Sequence, residues 1–129
     1  KLFTFEIDDE LEDFTRRWIE GSPVADKIVF TIGSALDIVP TLGEKFDLVF
    51  IDGNKREYTA YYELAIAHLN EGGWILADNT LWDGWVIDDK RQDAQTNGVR
   101  AFNDLVRNDA RVEEVILPLR DGLTIIRKK

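Results

Sequence analysis

KFDLVFIDGNK (residues 45–55) and GGWILADN (residues 72–79) decide how this chain folds. Each is an apolar run that ends in a carboxylate. Phe46–Ile51 is rich in β-branched and aromatic residues and bounded by polar ones, the pattern of a fully buried strand. Between the two runs, Glu57–Leu69 has helical period. Strand, helix, strand is a βαβ unit and implies two parallel strands. Asp52, Asp78 and Asn79 then fall at the carboxyl ends of their strands, where open α/β sheets bind ligands. Their oxygens would share one small space.

Working outward, Leu2–Ile7 reads as a strand. Asp9 and Glu12 are spaced as a capping box for the helix that follows. Leu11, Phe14, Trp18 and Ile19 make one apolar helix face, and Gly21-Ser22-Pro23 stops it. Ile28–Ile32 is a second strand, Gly33 and Ser34 a turn, and Ala35–Leu42 a short helix ending at Gly43. The helix Glu57–Leu69 buries Tyr58, Tyr61, Tyr62, Ala65 and Leu69, and Asn70–Gly73 is a turn. Trp74–Ala77 is the fourth strand. Thr80–Lys90 is a loop with Trp82 and Trp85, and a loop carrying two Trp covers a site or meets a partner. Asp93–Arg107 is helical again, with Val99, Phe102 and Val106 inward. Val112–Pro118 and Leu123–Arg127 are strands joined through Asp121-Gly122, a hairpin signal. Strand–helix repeated four times, then an antiparallel hairpin, predicts a doubly wound α/β sheet with a reversed edge strand.

The chain has 129 residues, enough for one domain with a core, and is 44% hydrophobic. No apolar run approaches the ~20 residues that span a bilayer, and the first residues do not read as a signal peptide. Cysteine is absent, which leaves no disulfide frame, thiolate metal site or cysteine nucleophile and fits a cytoplasmic protein. A net charge of −9 argues against nucleic-acid or anionic-membrane partners. Arg16–Arg17 and Lys90–Arg91 read as solvated helix faces.

The motifs FEID (Phe5–Asp8), GSAL (Gly33–Leu36), FDLVFIDGNKREY (Phe46–Tyr58), GGWILADNTLWDG (Gly72–Gly84) and LPLRDGLTIIRK (Leu117–Lys128) together resemble the cation-dependent, S-adenosylmethionine-using O-methyltransferases. That group contains the caffeoyl-CoA and catechol enzymes. The resemblance runs the length of the chain and implies a Rossmann-like methyltransferase sheet, residues 1–129 being the C-terminal part of a single domain. In the family, a first, central strand and a glycine-rich cofactor loop precede the acid corresponding to Glu6. Neither is found ahead of Leu2, so the resemblance implies a fragment that binds cofactor poorly by itself. A smaller departure is Asn54, where many relatives carry an Asp; the side chain keeps an oxygen and loses a charge.

Two carboxylates and an amide oxygen, with no His or Cys, suit a hard cation: Mg²⁺, with Mn²⁺ or Ca²⁺ as alternatives. The resemblance implies that Asp52, Asp78 and Asn79 hold it. A dication lowers the pKa of an acceptor hydroxyl, and methyl transfer needs the oxyanion. Lys55 is the candidate general base, against the alternative of a surface Lys paired with Glu57. The resemblance places the cofactor on Glu6, which reads ribose hydroxyls, on Gly33, Ser34 and Ala35 beside adenine, and on Asp52 and Asn54. Trp82 and Asp83 correspond to positions near the acceptor. His68, the lone histidine, is near a helix C-terminus and is given no role in catalysis. The implied activity is methylation of a hydroxyl on a small catechol-like acceptor, by a protein that is a homodimer at full length. The alternatives are a tRNA hydroxyuridine O-methyltransferase and a non-catalytic α/β module.

Overall fold

A computed structural model describes residues 1–129, which divide into two compact units, Lys1–Gly43 and Glu44–Lys129. In the first unit, β1 (Leu2–Glu6) and β2 (Ile28–Ile32) pair in parallel, with Glu6 opposite Ile32. Helix α1 (Glu12–Glu20) follows a 3₁₀ turn at Asp9–Leu11. The capping residue is Asp8, not Asp9: its carboxylate accepts from Glu10 N at 3.1 Å. A short α2 (Ala35–Ile38) and a 3₁₀ turn at Val39–Thr41 complete the unit. The apolar stripe of α1 forms but is uncovered, with Trp18 69% exposed and in edge contact with Phe14.

In the second unit the strand order is β3-β4-β6-β5, with β3 (Phe46–Ile51), β4 (Leu69–Asp78), β5 (Val112–Leu117) and β6 (Leu123–Lys128). β3 and β4 are parallel, while β6 runs antiparallel to both β4 and β5. The reversed strand is therefore internal, not at the edge. β6 lies between β4 and β5, and the edge strand β5 runs in the same direction as β3 and β4. The turn expected at Asn70–Gly73 is instead a wide bulge inside β4. Phe46 pairs with Leu69 and Leu48 with Trp74, so four residues of β4 loop out against one of β3. Gly72 takes φ +75° there, a conformation glycine adopts without strain, and Asn70 donates to Asp47 at 2.8 Å.

Helices α3 (Tyr58–His68) and α4 (Ala94–Arg107) both pack on one face of this sheet. Asp93 caps α4 by accepting from Thr96 N at 3.0 Å. Val99, Phe102 and Val106 follow at helical spacing and are buried. The core sets Tyr58, Tyr62 and Phe102 against Ile51, Ile75, Ala77 and Ile126. Tyr58 and Tyr62 meet Phe102 edge-to-face at 5.4 and 6.0 Å. A doubly wound sheet is covered on both faces. Within this unit the opposite face is open, with Leu48, Phe50 and Trp74 exposed. No helix is long and apolar enough to cross a membrane.

Asp109 locks the loop after α4 to α3. It accepts from Tyr62 Oη at 2.9 Å and from Arg111 Nη2 at 2.6 Å, and Arg111 also reaches Glu63 at 2.9 Å. Arg111 holds the Asp109 carboxyl down at about 2, against an ordinary 3.8. A depressed folded-state pKa contributes stability that is present above the unfolded value and is lost as pH falls through the folded one. Arg111 is half exposed, so screening keeps this contribution on the order of 1 kcal/mol. Acid unfolding followed by circular dichroism should show this loss between pH 3.8 and about 2, and Asp109→Asn should remove it. An unchanged acid limb in Asp109→Asn would refute the assignment.

Candidate active site

The second unit carries seven of the predicted residues, Asp52, Asn54, Lys55, Asp78, Asn79, Trp82 and Asp83. Ile51 pairs with Ala77 across the parallel ladder. Asp52 and Asp78 are each the next residue, so the two acids leave neighbouring strands at one level. Asn79 follows with φ +58°, an αL conformation that Asn tolerates better than most residues.

Lys55 opens a 3₁₀ turn leading into α3 and is only 7% exposed. It is not the surface lysine of the alternative reading, and Glu57 instead accepts from Tyr61 Oη at 2.7 Å. A buried ammonium needs partners, and Lys55 has two: Nζ donates to Asp52 Oδ1 at 3.0 Å and to Tyr58 Oη at 2.5 Å. The Tyr58 hydroxyl donates onward to the Asp78 carbonyl at 2.9 Å. Burial, then the charges of Asp52 and Asp78, push the Tyr58 pKa up, so the phenol keeps its proton. Its one hydrogen goes to Asp78 O, which leaves its oxygen to accept from Lys55. Tyr58 thus belongs to the site as well as to the core. The signal was its spacing: residues three apart on a helical turn face one another.

The oxygens fit a hard cation. Asp52 Oδ1 is taken by Lys55, and Asp78 Oδ1 accepts from Asn79 N at 2.7 Å. The second oxygen of each acid and the Asn79 amide have no hydrogen-bond partner in the protein. The structure contains no cluster of three or more His, Cys, Asp or Glu, and the candidate donors are these two acids and the amide. Such a set, completed by water, is what Mg²⁺ takes.

Trp82 stands beside Lys55, whose Nζ lies 5.8 Å from the indole centroid, and meets Trp85 edge-on at 6.0 Å. Its Nε1 is buried without a partner. Trp82 and Asp83 take φ of +50° and +54°, and Asp83 N donates to the Asp121 carboxylate. Beyond them an open groove of ≈ 580 Å³ is lined by Leu81, Val86, Ile87 and Arg120 among others.

Gly98 went unnoticed in the sequence although it lies inside a helical run, where glycine costs ~1 kcal/mol against alanine. A Cβ there would collide with the Lys55 carbonyl and come within 2.9 Å of Arg56 Cα. The absence of a side chain lets α4 lie directly against the backbone that carries Lys55. Asn54 caps the same turn, accepting from Arg56 N at 3.3 Å, so its carboxamide oxygen has a structural duty.

The remaining predicted residues lie in the first unit. Gly33 N donates to Glu6 O at 2.7 Å, which joins the carboxyl ends of β1 and β2. Glu6 Oε1 accepts from Asp8 N at 2.9 Å, and its second oxygen is unengaged. Gly33 takes φ +137°, with Ser34 and Ala35 next to it leading into α2.

A family model described as O-methyltransferase matches residues 1–129. A catechol O-methyltransferase of Niastella koreensis is 31% identical over 92% of this chain and 56% of its own length. Caffeoyl-CoA O-methyltransferase 1 of Eucalyptus globulus is 35% identical over 99% of this chain and 56% of its own. This chain therefore spans about half the length of the curated relatives it matches. The O-methyltransferase of Bacillus cereus in complex with SAH superposes with a TM-score of 0.92 at 29% identity, covering 100% of this chain and 63% of that one. TomG of Streptomyces achromogenes in complex with SAM gives 0.93 at 28%, covering 100% and 62%. The match along the whole chain and these relatives together establish that the chain belongs to the O-methyltransferase family.

Proposed function

We propose that the whole protein transfers a methyl group from S-adenosylmethionine to a hydroxyl of a small catechol-like acceptor, assisted by a divalent cation. The observation that carries this is the buried Lys55 beside Asp52 at 3.0 Å, with unengaged oxygens on Asp52, Asp78 and Asn79. The bound groups would supply a sulfonium methyl as electrophile and a dication that lowers the pKa of the acceptor hydroxyl. Asp52, Asp78 and Asn79 would hold the cation. Lys55, in the neutral form left once its ammonium has given a proton to solvent, would take the hydroxyl proton at Nζ, its two remaining hydrogens still directed at Asp52 and Tyr58. Tyr58 would fix the direction of that amine, and Trp82 with Asp83 would wall the acceptor. Glu6, Gly33, Ser34 and Ala35 would bind the cofactor, with Asp52 and Asn54 contributing at its methionine end. The free edges of β1 and of β3, each hydrogen-bonded to one neighbour, support a further strand in the whole protein. A homodimer is part of the same proposal.

The test is methyl transfer from S-adenosylmethionine to catechol by the full-length protein, with and without EDTA. Methylated product that disappears with chelator and returns with Mg²⁺ is expected. Methylation indifferent to chelator would remove the cation from the proposal. In the same assay Lys55→Met should lower kcat by about 10²–10⁴-fold, the usual worth of a general base, with little change in cofactor affinity. Wild-type turnover in Lys55→Met rules out its role.

Gly98→Ala should destabilise the protein by about 1–3 kcal/mol through overpacking against Lys55 and Arg56, and should lower kcat as well. Thermal denaturation and turnover on one preparation check both. A stable, fully active Gly98→Ala would show that α4 can retreat without moving Lys55.

A further inference from the structure

We infer that Arg100 is a positioning residue for the acceptor wall. This rests on Trp82 and Asp83 lining the acceptor side of the proposed site. Arg100 projects from α4 and makes no ion pair. Its guanidinium has five N–H donors in a planar fork, and each has an acceptor. Nε donates to Val86 O at 3.0 Å. Nη1 donates to Arg91 O at 2.7 Å and Asn97 Oδ1 at 3.0 Å. Nη2 donates to Trp85 O at 2.9 Å and Asp88 O at 2.6 Å. Four of these acceptors are main-chain carbonyls within one seven-residue stretch.

A positive charge is thus committed to holding a loop, with no carboxylate opposite it. The loop it holds is the one that shapes the groove: Val86, bound through its carbonyl, also lines that cavity. Trp85 is gripped on both sides. Arg100 takes its carbonyl, and the Arg91 guanidinium stacks on its ring at 3.6 Å. Trp85 in turn buttresses Trp82, the indole beside Lys55. The placement of Trp82 against the reacting end of the site therefore depends on the fork of Arg100. The helix that carries the fork is itself fixed by buried Val99 and Phe102. A lysine offers three donors from a single point and cannot reproduce the set.

The test compares Arg100→Met and Arg100→Lys with wild type in the full-length protein. Trypsin reports the loop directly, because Lys90 and Arg91 lie in it. Both variants should be cut there several-fold faster. The KM for catechol should rise on the order of tenfold to a hundredfold, the scale on which misplacing a reacting group acts. Affinity for S-adenosylhomocysteine should stay unchanged. A lower melting temperature with unaltered cleavage and unaltered KM would mean that Arg100 only stabilises the fold. Wild-type behaviour of Arg100→Lys in both readouts would overturn the need for the fork. If wild type does not methylate catechol, the proposed function fails for that acceptor, and the trypsin comparison still decides whether Arg100 holds the loop.

Discussion

The rest of the second unit is arranged around a buried ammonium. Desolvating an unpaired charge costs several kcal/mol, so Lys55 has to be met by fixed acceptors. Asp52 supplies one from the end of β3, and Tyr58 supplies the other from the start of α3. Tyr58 closes the chain on the carbonyl of Asp78, at the end of β4. One run of hydrogen bonds thus ties two strand ends to the helix between them. Each group in it has few alternatives. The phenol has one proton and gives it to Asp78. The ammonium keeps a third hydrogen beyond the two it donates. Helix α4 presses on this arrangement from the other side, and only a glycine at position 98 allows the approach.

The strand–helix–strand frame was legible because its signals are local. An apolar run bounded by polar residues, then a 3.6-residue period, needs no tertiary information. Asp52, Asp78 and Asn79 were legible for the same reason, since strand ends can be read from where the apolar run stops. What stayed hidden depended on pairing. The Asp121-Gly122 turn predicts that two strands pair, but not which of them docks on β4, and β6 took the inner place. Asn70–Gly73 carries turn chemistry, yet it forms a bulge within a strand that continues on both sides of it. Tyr58 looked like core because an aromatic at helical spacing almost always is. It is fully buried and also hydrogen-bonded to a candidate base, and only the second fact ties it to the candidate site.

Amphipathic period has a related limit. It says which face of an element is apolar, not what covers it. The stripe of α1 is as regular as that of α4, yet Phe14 and Trp18 are 61% and 69% exposed whereas Val99 and Phe102 are buried. On β3, Val49 and Ile51 face the helices, and Leu48 and Phe50 face the open side. Alternation in a strand that is apolar on both faces cannot rank the two. The first unit, with Val39 as its one buried side chain, has little core of its own.

The C-terminal turn does more than reverse the chain. Thr80 N donates to Gly122 O and Leu81 N to Asp121 O, at 3.1 and 2.9 Å, and the Asp121 carboxylate takes Asp83 N. Three successive contacts clamp the segment that leaves β4 just after Asn79. That segment holds three non-glycine residues at positive φ: Asn79, Trp82 and Asp83. Such conformations cost on the order of 1–3 kcal/mol each and persist only where the surroundings impose them. Gly122 is fitted to the task, since a Cβ there would come within 2.5 Å of Leu81 Cγ. Thr124 reaches across to Thr80 from the next strand, hydroxyl to hydroxyl, at 2.8 Å. The turn and β6 therefore hold one end of the Trp82 loop while Arg100 holds the other. The backbone that carries the indole is thus fixed on both sides of Trp82, which sets where the side chain stands relative to Lys55.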